Sequence, residues 1–148
     1  MVKFFSQNPS QTKKIGQILA KEILKIKTNR AFVLSLIGDL GGGKTTFLQG
    51  FAKGLGVKEK ILSPSFVILK RFKIKDLRFK NFYHIDCYRV EKPKEILDLG
   101  FKEIVSNPKN LVAIEWAERI KKILPKGTMI LKFDFINQKQ REISIEET

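Results

Sequence analysis

Residues 38–45, Gly38-Asp39-Leu40-Gly41-Gly42-Gly43-Lys44-Thr45, meet every fixed position of the G-x-x-x-x-G-K-[ST] pattern. Glycines let the backbone turn through positive φ and bring consecutive N–H groups close to an anion. The amides of Gly41, Gly42, Gly43, Lys44, Thr45 and Thr46 would then ring a polyphosphate. The Lys44 ammonium suits the β- and γ-phosphates, and the Thr45 hydroxyl suits Mg²⁺. The flanks agree with this reading. Ala31–Ile37 is an apolar run too short for a typical helix and reads as a buried strand, parallel to its neighbours. Thr45–Leu55 reads as a helix stopped by Gly54 and Gly56, and its dipole adds to the attraction for phosphate. A random match to the pattern is expected roughly once in a hundred such chains. A nucleoside triphosphate or diphosphate is the implied ligand.

Hydrolysis needs an acidic group for the metal and a means of placing water. Glu115 closes the apolar run Leu111-Val112-Ala113-Ile114, where a carboxylate would emerge from a buried strand beside the loop. Asp86 closes Phe82-Tyr83-His84-Ile85 in the same manner. The other segments read as follows. Ser10 to Lys27 is an amphipathic helix with Ser10 as its cap. Ser65–Lys75 and Leu77–Asp86 form a hairpin turning near Lys75-Asp76. Glu91–Ser106 holds short helices broken at Gly100, and Ala117–Leu124 is a helix. Thr128–Ile136 and Arg141–Glu146 form a closing strand pair. Strands interleaved with helices predict an α/β fold with a mixed sheet, and 148 residues predict a single domain.

With 29 basic against 15 acidic side chains, the formal charge of +14 would draw any polyanion, but the lysines are scattered and mark no face. At 43% hydrophobic the chain can build one core, which excludes the disordered class. One cysteine excludes a disulfide framework and a multi-cysteine zinc site. With no apolar span of eighteen residues or signal peptide, the expectation is a soluble cytoplasmic protein without a membrane partner. His84, the one histidine, reads as a packed or hydrogen-bonded strand residue, and Cys87 as a small hydrophobe.

Four motifs in order resemble those of the TsaE (YjeE) family, the small ATPase of bacterial tRNA threonylcarbamoyladenosine synthesis. They are the phosphate loop continued through Thr46, Ser63-Pro64-Ser65-Phe66, His84-Ile85-Asp86-Cys87-Tyr88-Arg89, and Ile114-Glu115-Trp116-Ala117-Glu118. The resemblance implies ATP and Mg²⁺, and a single P-loop ATPase domain over 1–148. Its architecture would be three-layer α/β/α with a mixed, mostly parallel sheet. It implies that Thr45 and Glu115 hold Mg²⁺, and that Asp86 serves hydrolysis through the metal's water shell or by orienting the attacking water. Ser65 would sit in a switch-like loop, Thr12 would approach the nucleotide, and Trp116 would meet the nucleotide or a partner. Ser65 stands where the family usually has Thr, Ala117 where Pro is common, and Gly42 where Ala is common. None of these departures removes a group that the mechanism needs.

The implied function is an ATPase switch, weak alone, within the assembly that modifies adenosine 37 of tRNA. Its implied partners are a TsaD-like threonylcarbamoyl transferase, a TsaB-like companion subunit, and tRNA within the complex. Two other readings are a small P-loop kinase and a nucleotide-gated RNA-binding module. A kinase usually clamps phosphates with several lid arginines, whereas Arg71, Arg78 and Arg89 are spread over separate segments. An RNA module would bind tRNA by itself and lose it steeply with salt.

Overall fold

The central strands are continuous apolar runs whose successive side chains point to opposite faces of the sheet, and each face is covered by a helical layer. The computed structural model describes residues 1–39, 43–61 and 68–147. Among these, seven strands form one sheet in the order β1-β7-β6-β2-β5-β4-β3. The strands are β1 (Val2–Ser6), β2 (Phe32–Ile37), β3 (Leu69–Lys73), β4 (Asn81–Asp86), β5 (Asn110–Glu115), β6 (Met129–Phe135) and β7 (Arg141–Glu147). β2 runs parallel to both β5 and β6, and β5 runs parallel to β4. β1 on β7, β7 on β6, and β3 on β4 are antiparallel. Five strands thus point one way, with β7 and β3 reversed, which is the mixed and mostly parallel sheet expected.

On one face, Leu34, Leu36, Phe82, Leu111 and Ala113 pack against helices α1 (Pro9–Ile23) and α2 (Lys44–Gly54). On the other, Val33, Ile85, Val112 and Ile114 pack against α3 (Pro93–Leu97), α4 (Phe101–Ser106) and a 3₁₀ helix (Ala117–Ile123). The α1–α2 layer is close-packed through glycines. A Cβ on Gly50 would collide with the Lys13 carbonyl oxygen, one on Gly16 with that of Phe47, and one on Gly54 with that of Gln17. Helix backbones approach this closely only where side chains are missing.

Several local expectations need correction. α1 begins at Pro9, not Ser10, because Asn8 is the cap: its Oδ1 accepts from the Gln11 amide at 2.9 Å, and Pro9 needs no amide partner. α1 also ends at Ile23, short of Lys27. β1 was not expected, since Val2, Phe4 and Phe5 are exposed and it is held chiefly by its backbone ladder on β7. The segment after Trp116 is 3₁₀ rather than α, with Ile120 at non-helical dihedrals. The break at Gly100 (φ 86°) separates α3 from α4 as expected. β3 and β4 pair as expected, their connection fastened by Asp76, whose Oδ2 accepts from the amides of Arg78 (3.0 Å) and Phe79 (3.1 Å).

Candidate nucleotide site

The parallel strands β4 and β5 end side by side, with Asp86 and Glu115 as register partners and Leu36 of β2 opposite Glu115. Side chains along a strand alternate between faces. Phe82, His84 and Asp86 therefore share a face, as do Leu111, Ala113 and Glu115. Phe82, Leu111 and Ala113 belong to the core beneath α1 and α2. Both carboxylates thus stand on the side of the sheet where α2 begins, at the carboxyl edge of the parallel strands. That edge is where open α/β sheets bind ligands.

Lys44 is the first residue of α2, and the preceding Gly43 is left-handed at φ 97°, a conformation that costs glycine little. The Lys44 side chain folds back over the turn. Its Nζ donates to the Gly38 carbonyl oxygen and, at 3.4 Å, to that of Asp39, and it lies 4.0 Å from the centre of the Trp116 ring. Burial pulls the Lys44 ammonium below the usual lysine range, opposed by the carboxylates of Glu115, Glu118, Asp39 and Asp86. The loop lysine and both strand-end acids therefore share one electrostatic neighbourhood.

Asp86 Oδ1 accepts from the Tyr88 amide at 2.9 Å. Its Oδ2 is buried and has no hydrogen-bond partner among the described residues. Burial pushes this carboxyl above the usual range and Glu115 adds to the push, while the Tyr88 amide, His84 and Lys44 oppose it. A buried carboxylate oxygen left without a donor is costly in a folded protein, and such an atom is suited to accept from a water or to meet a cation. Glu115 is buried, with Oε2 2.8 Å from His84 Nε2. Trp116 adopts φ 57°, the only positive φ outside glycine among the described residues. This left-handed turn at the end of β5 carries the indole back over Lys44, with Tyr88 at 5.1 Å and the Arg119 guanidinium at 5.8 Å. Strained residues of this kind cluster at functional sites.

Lys44, Asp86, Glu115 and Trp116 are thus brought together. Thr45 and Thr46 are half-buried in the first turn of α2. Thr12 is buried in the first turn of α1, its Oγ1 2.6 Å from Ser6 Oγ. Gly41, Gly42 and Ser65 lie outside the described residues. Cys87 is fully buried and its thiol is pushed up to about 12 by that burial, as befits a small hydrophobe. Among the described residues, no three of His, Cys, Asp and Glu are grouped to hold a metal on their own.

Two neighbours of the site were not anticipated. His84 orients Glu115, a pairing signalled by its place two residues before Asp86 on the same face. Arg141, the first residue of β7, brings its Cγ to 3.5 Å from where a Cβ on Gly43 would be. No local pattern marks Arg141, because it reaches the loop from the far end of the chain.

The chain matches the family model described as "Threonylcarbamoyl adenosine biosynthesis protein TsaE" over residues 6–143. It is 36% identical over 143 residues to the "tRNA threonylcarbamoyladenosine biosynthesis protein TsaE" of Bacillus subtilis, covering 97% of this chain and 84% of that one. The protein of the same description from Haemophilus influenzae is 30% identical over 135 residues, covering 91% and 83%. The crystal structure of YdiB from Bacillus subtilis superposes with a TM-score of 0.75 at 32% identity, covering 99% of this chain and 84% of that one.

Proposed function

The chain belongs to the TsaE family of threonylcarbamoyladenosine biosynthesis, and from that membership we propose that it is a Mg²⁺-dependent ATPase acting as a switch in the complex that modifies adenosine 37 of tRNA. The observation that carries this reading is the convergence of Lys44, Asp86 and Glu115 at one strand edge, with Asp86 Oδ2 left without a donor.

The donor set fits a magnesium–nucleotide pair. Mg²⁺ takes few protein oxygens when phosphates and waters complete its octahedral shell, and Thr45 and Glu115 would supply those few. Bound there, the ion would offset the charge on the phosphate oxygens during transfer. The chain's own residues do the rest. Lys44 exchanges the Gly38 and Asp39 carbonyls for phosphate oxygens. His84 fixes the carboxylate plane of Glu115. Asp86 Oδ2 accepts a hydrogen bond from a water, and the Tyr88 amide holds its other oxygen still. Thr12 and Ser65 would approach the nucleotide, and Trp116 would report on it from beside Lys44.

The partners on this reading are a TsaD-like transferase and a TsaB-like companion, with tRNA in the assembly and the cytoplasm as its location. No helix among the described residues is long and apolar enough to cross a membrane. The test is phosphate release from ATP with and without the two partner proteins. Slow release alone and faster release in the complex is expected. Lys44→Ala, Asp86→Ala and Glu115→Ala should each lose about 100-fold or more while keeping the fold, as removal of a charge-stabilising group does. Equal rates with and without partners would remove the switch role. Phosphate transferred to an acceptor, rather than released, would mark a kinase.

A further inference from the structure

At the edge of the sheet opposite the nucleotide site lie the loops that enter the parallel strands. β2 is six residues long, so the two edges stand roughly 20 Å apart. Two clefts open there, of about 690 and 300 Å³. Ile26, Lys27 and Thr28 line both, so the two clefts adjoin along this segment and together form a groove. Each loop entering a parallel strand contributes a cation to its walls: Lys27 and Arg30 before β2, Arg78 before β4, Lys109 before β5, and Lys126 before β6. All five are exposed. Among the described residues, the one carboxylate in the lining is Glu147.

These charges are not spent internally. None of the five joins an ion pair among the described residues. Arg30 donates to the Lys126 carbonyl and Arg78 to that of Lys25 at 2.8 Å. Bonds to backbone carbonyls aim the guanidinium groups without cancelling their charge. The nearby Asp76 is occupied by the Arg78 and Phe79 amides. At the opposite edge Lys44 faces four carboxylates, those of Glu115, Glu118, Asp39 and Asp86.

We propose that this groove is a docking surface for the sugar–phosphate backbone of folded RNA, so that the chain meets RNA with the edge turned away from its nucleotide. The choice of RNA rests on the tRNA-modification reading above. The groove's shape favours it too, since a concave basic channel accepts a ridge of phosphates, whereas membrane-surface binding uses an apolar face flanked by cations. Among the described residues, the large exposed apolar side chains at the groove are Ile26 in its lining and Leu77 beside Arg78, too few to form such a face.

The test is fluorescence anisotropy of a labelled tRNA transcript titrated with the full chain over a salt series. Lys27→Glu/Lys109→Glu/Lys126→Glu should weaken binding at least tenfold and flatten the salt slope by about 2–3, in line with lost phosphate contacts. Lys14→Glu/Lys21→Glu/Lys53→Glu, with the same net charge and exposed lysines on α1 and α2, should weaken it less than threefold. If the groove variant does not fold, Lys27→Gln/Lys126→Gln takes its place and should still weaken binding several-fold. Equal losses in the groove and helix variants would overturn the proposal. So would no binding by the unaltered chain, or a groove effect on phosphatidylglycerol vesicles with none on tRNA. Nucleotide affinity is read on the same samples: its absence would sink the ATPase reading and leave the RNA result standing.

Discussion

His84 shows how one side chain can matter to the site without touching a nucleotide. It lies two residues before Asp86 and so shares that residue's face, and its ring nitrogen holds Glu115 Oε2 at 2.8 Å. On the proposed function, His84→Ala frees the Glu115 carboxylate to rotate. Groups that orient ligating carboxylates typically cost 10–100-fold in metal affinity or activity when removed. Mg²⁺ titration of ATP hydrolysis should show that loss, with His84→Gln restoring part of it and nucleotide affinity without the metal unchanged. Much of the site was legible at this scale. Lys44 and Thr45 stand at fixed motif positions, and Asp86 and Glu115 each close an apolar strand. What the local pattern left open was which donor each carboxylate meets, because His84 and Glu115 lie on different strands and meet only through the β4–β5 register.

Among the elements, the pairing of α1 with α2 was invisible from each helix alone. Gly50 and Gly54 are four residues apart, and Gly54 reads locally as a helix stop. In the fold both glycines are close-approach positions, and the turn is made at Gly56, with φ 81°. Two substitutions separate these roles. In an exposed helix Gly→Ala stabilises by about 1 kcal/mol. Gly50→Ala should instead destabilise by about 2–3 kcal/mol through overpacking against the Lys13 backbone. Gly56→Ala meets open space and should cost only about 1 kcal/mol, for its left-handed backbone. Urea midpoints compare the two. The β3–β4 connection offers a test by pH. Burial raises the Asp76 carboxyl, but the Arg78, Phe79 and Leu77 amides and Lys80 outweigh it, so the folded pKa lies below the ordinary value. A depressed carboxylate adds stability above its unfolded pKa and loses it as pH falls through the folded one. Asp76→Ala should therefore cost about 1 kcal/mol at pH 7, and its deficit should shrink as pH drops below about 4.

Across the whole molecule, a row of aromatic rings ties α2 to three strands of the sheet, β6, β4 and β3. Phe47 contacts Phe51 and Phe133, Phe51 contacts Phe82, and Phe82 contacts Phe72, at centroid distances from 5.3 to 6.0 Å. Phe51 is fully buried, so Phe51→Ala should cost about 3–5 kcal/mol and lower the thermal midpoint by roughly 6–20 °C. Calorimetry should show one transition moving as a unit. The sequence by itself determined the glycine-rich G-x-x-x-x-G-K-T motif, the two strand-end acids and the α/β alternation, since each is a local pattern of glycines, charges and apolar runs. It also set the net charge of +14. Where that charge gathers was decided only by tertiary structure, as were the partners of each acid. Strand order brings together loops far apart in the chain, so Lys27, Arg30, Arg78, Lys109 and Lys126 meet at one edge while Asp86 and Glu115 meet at the other.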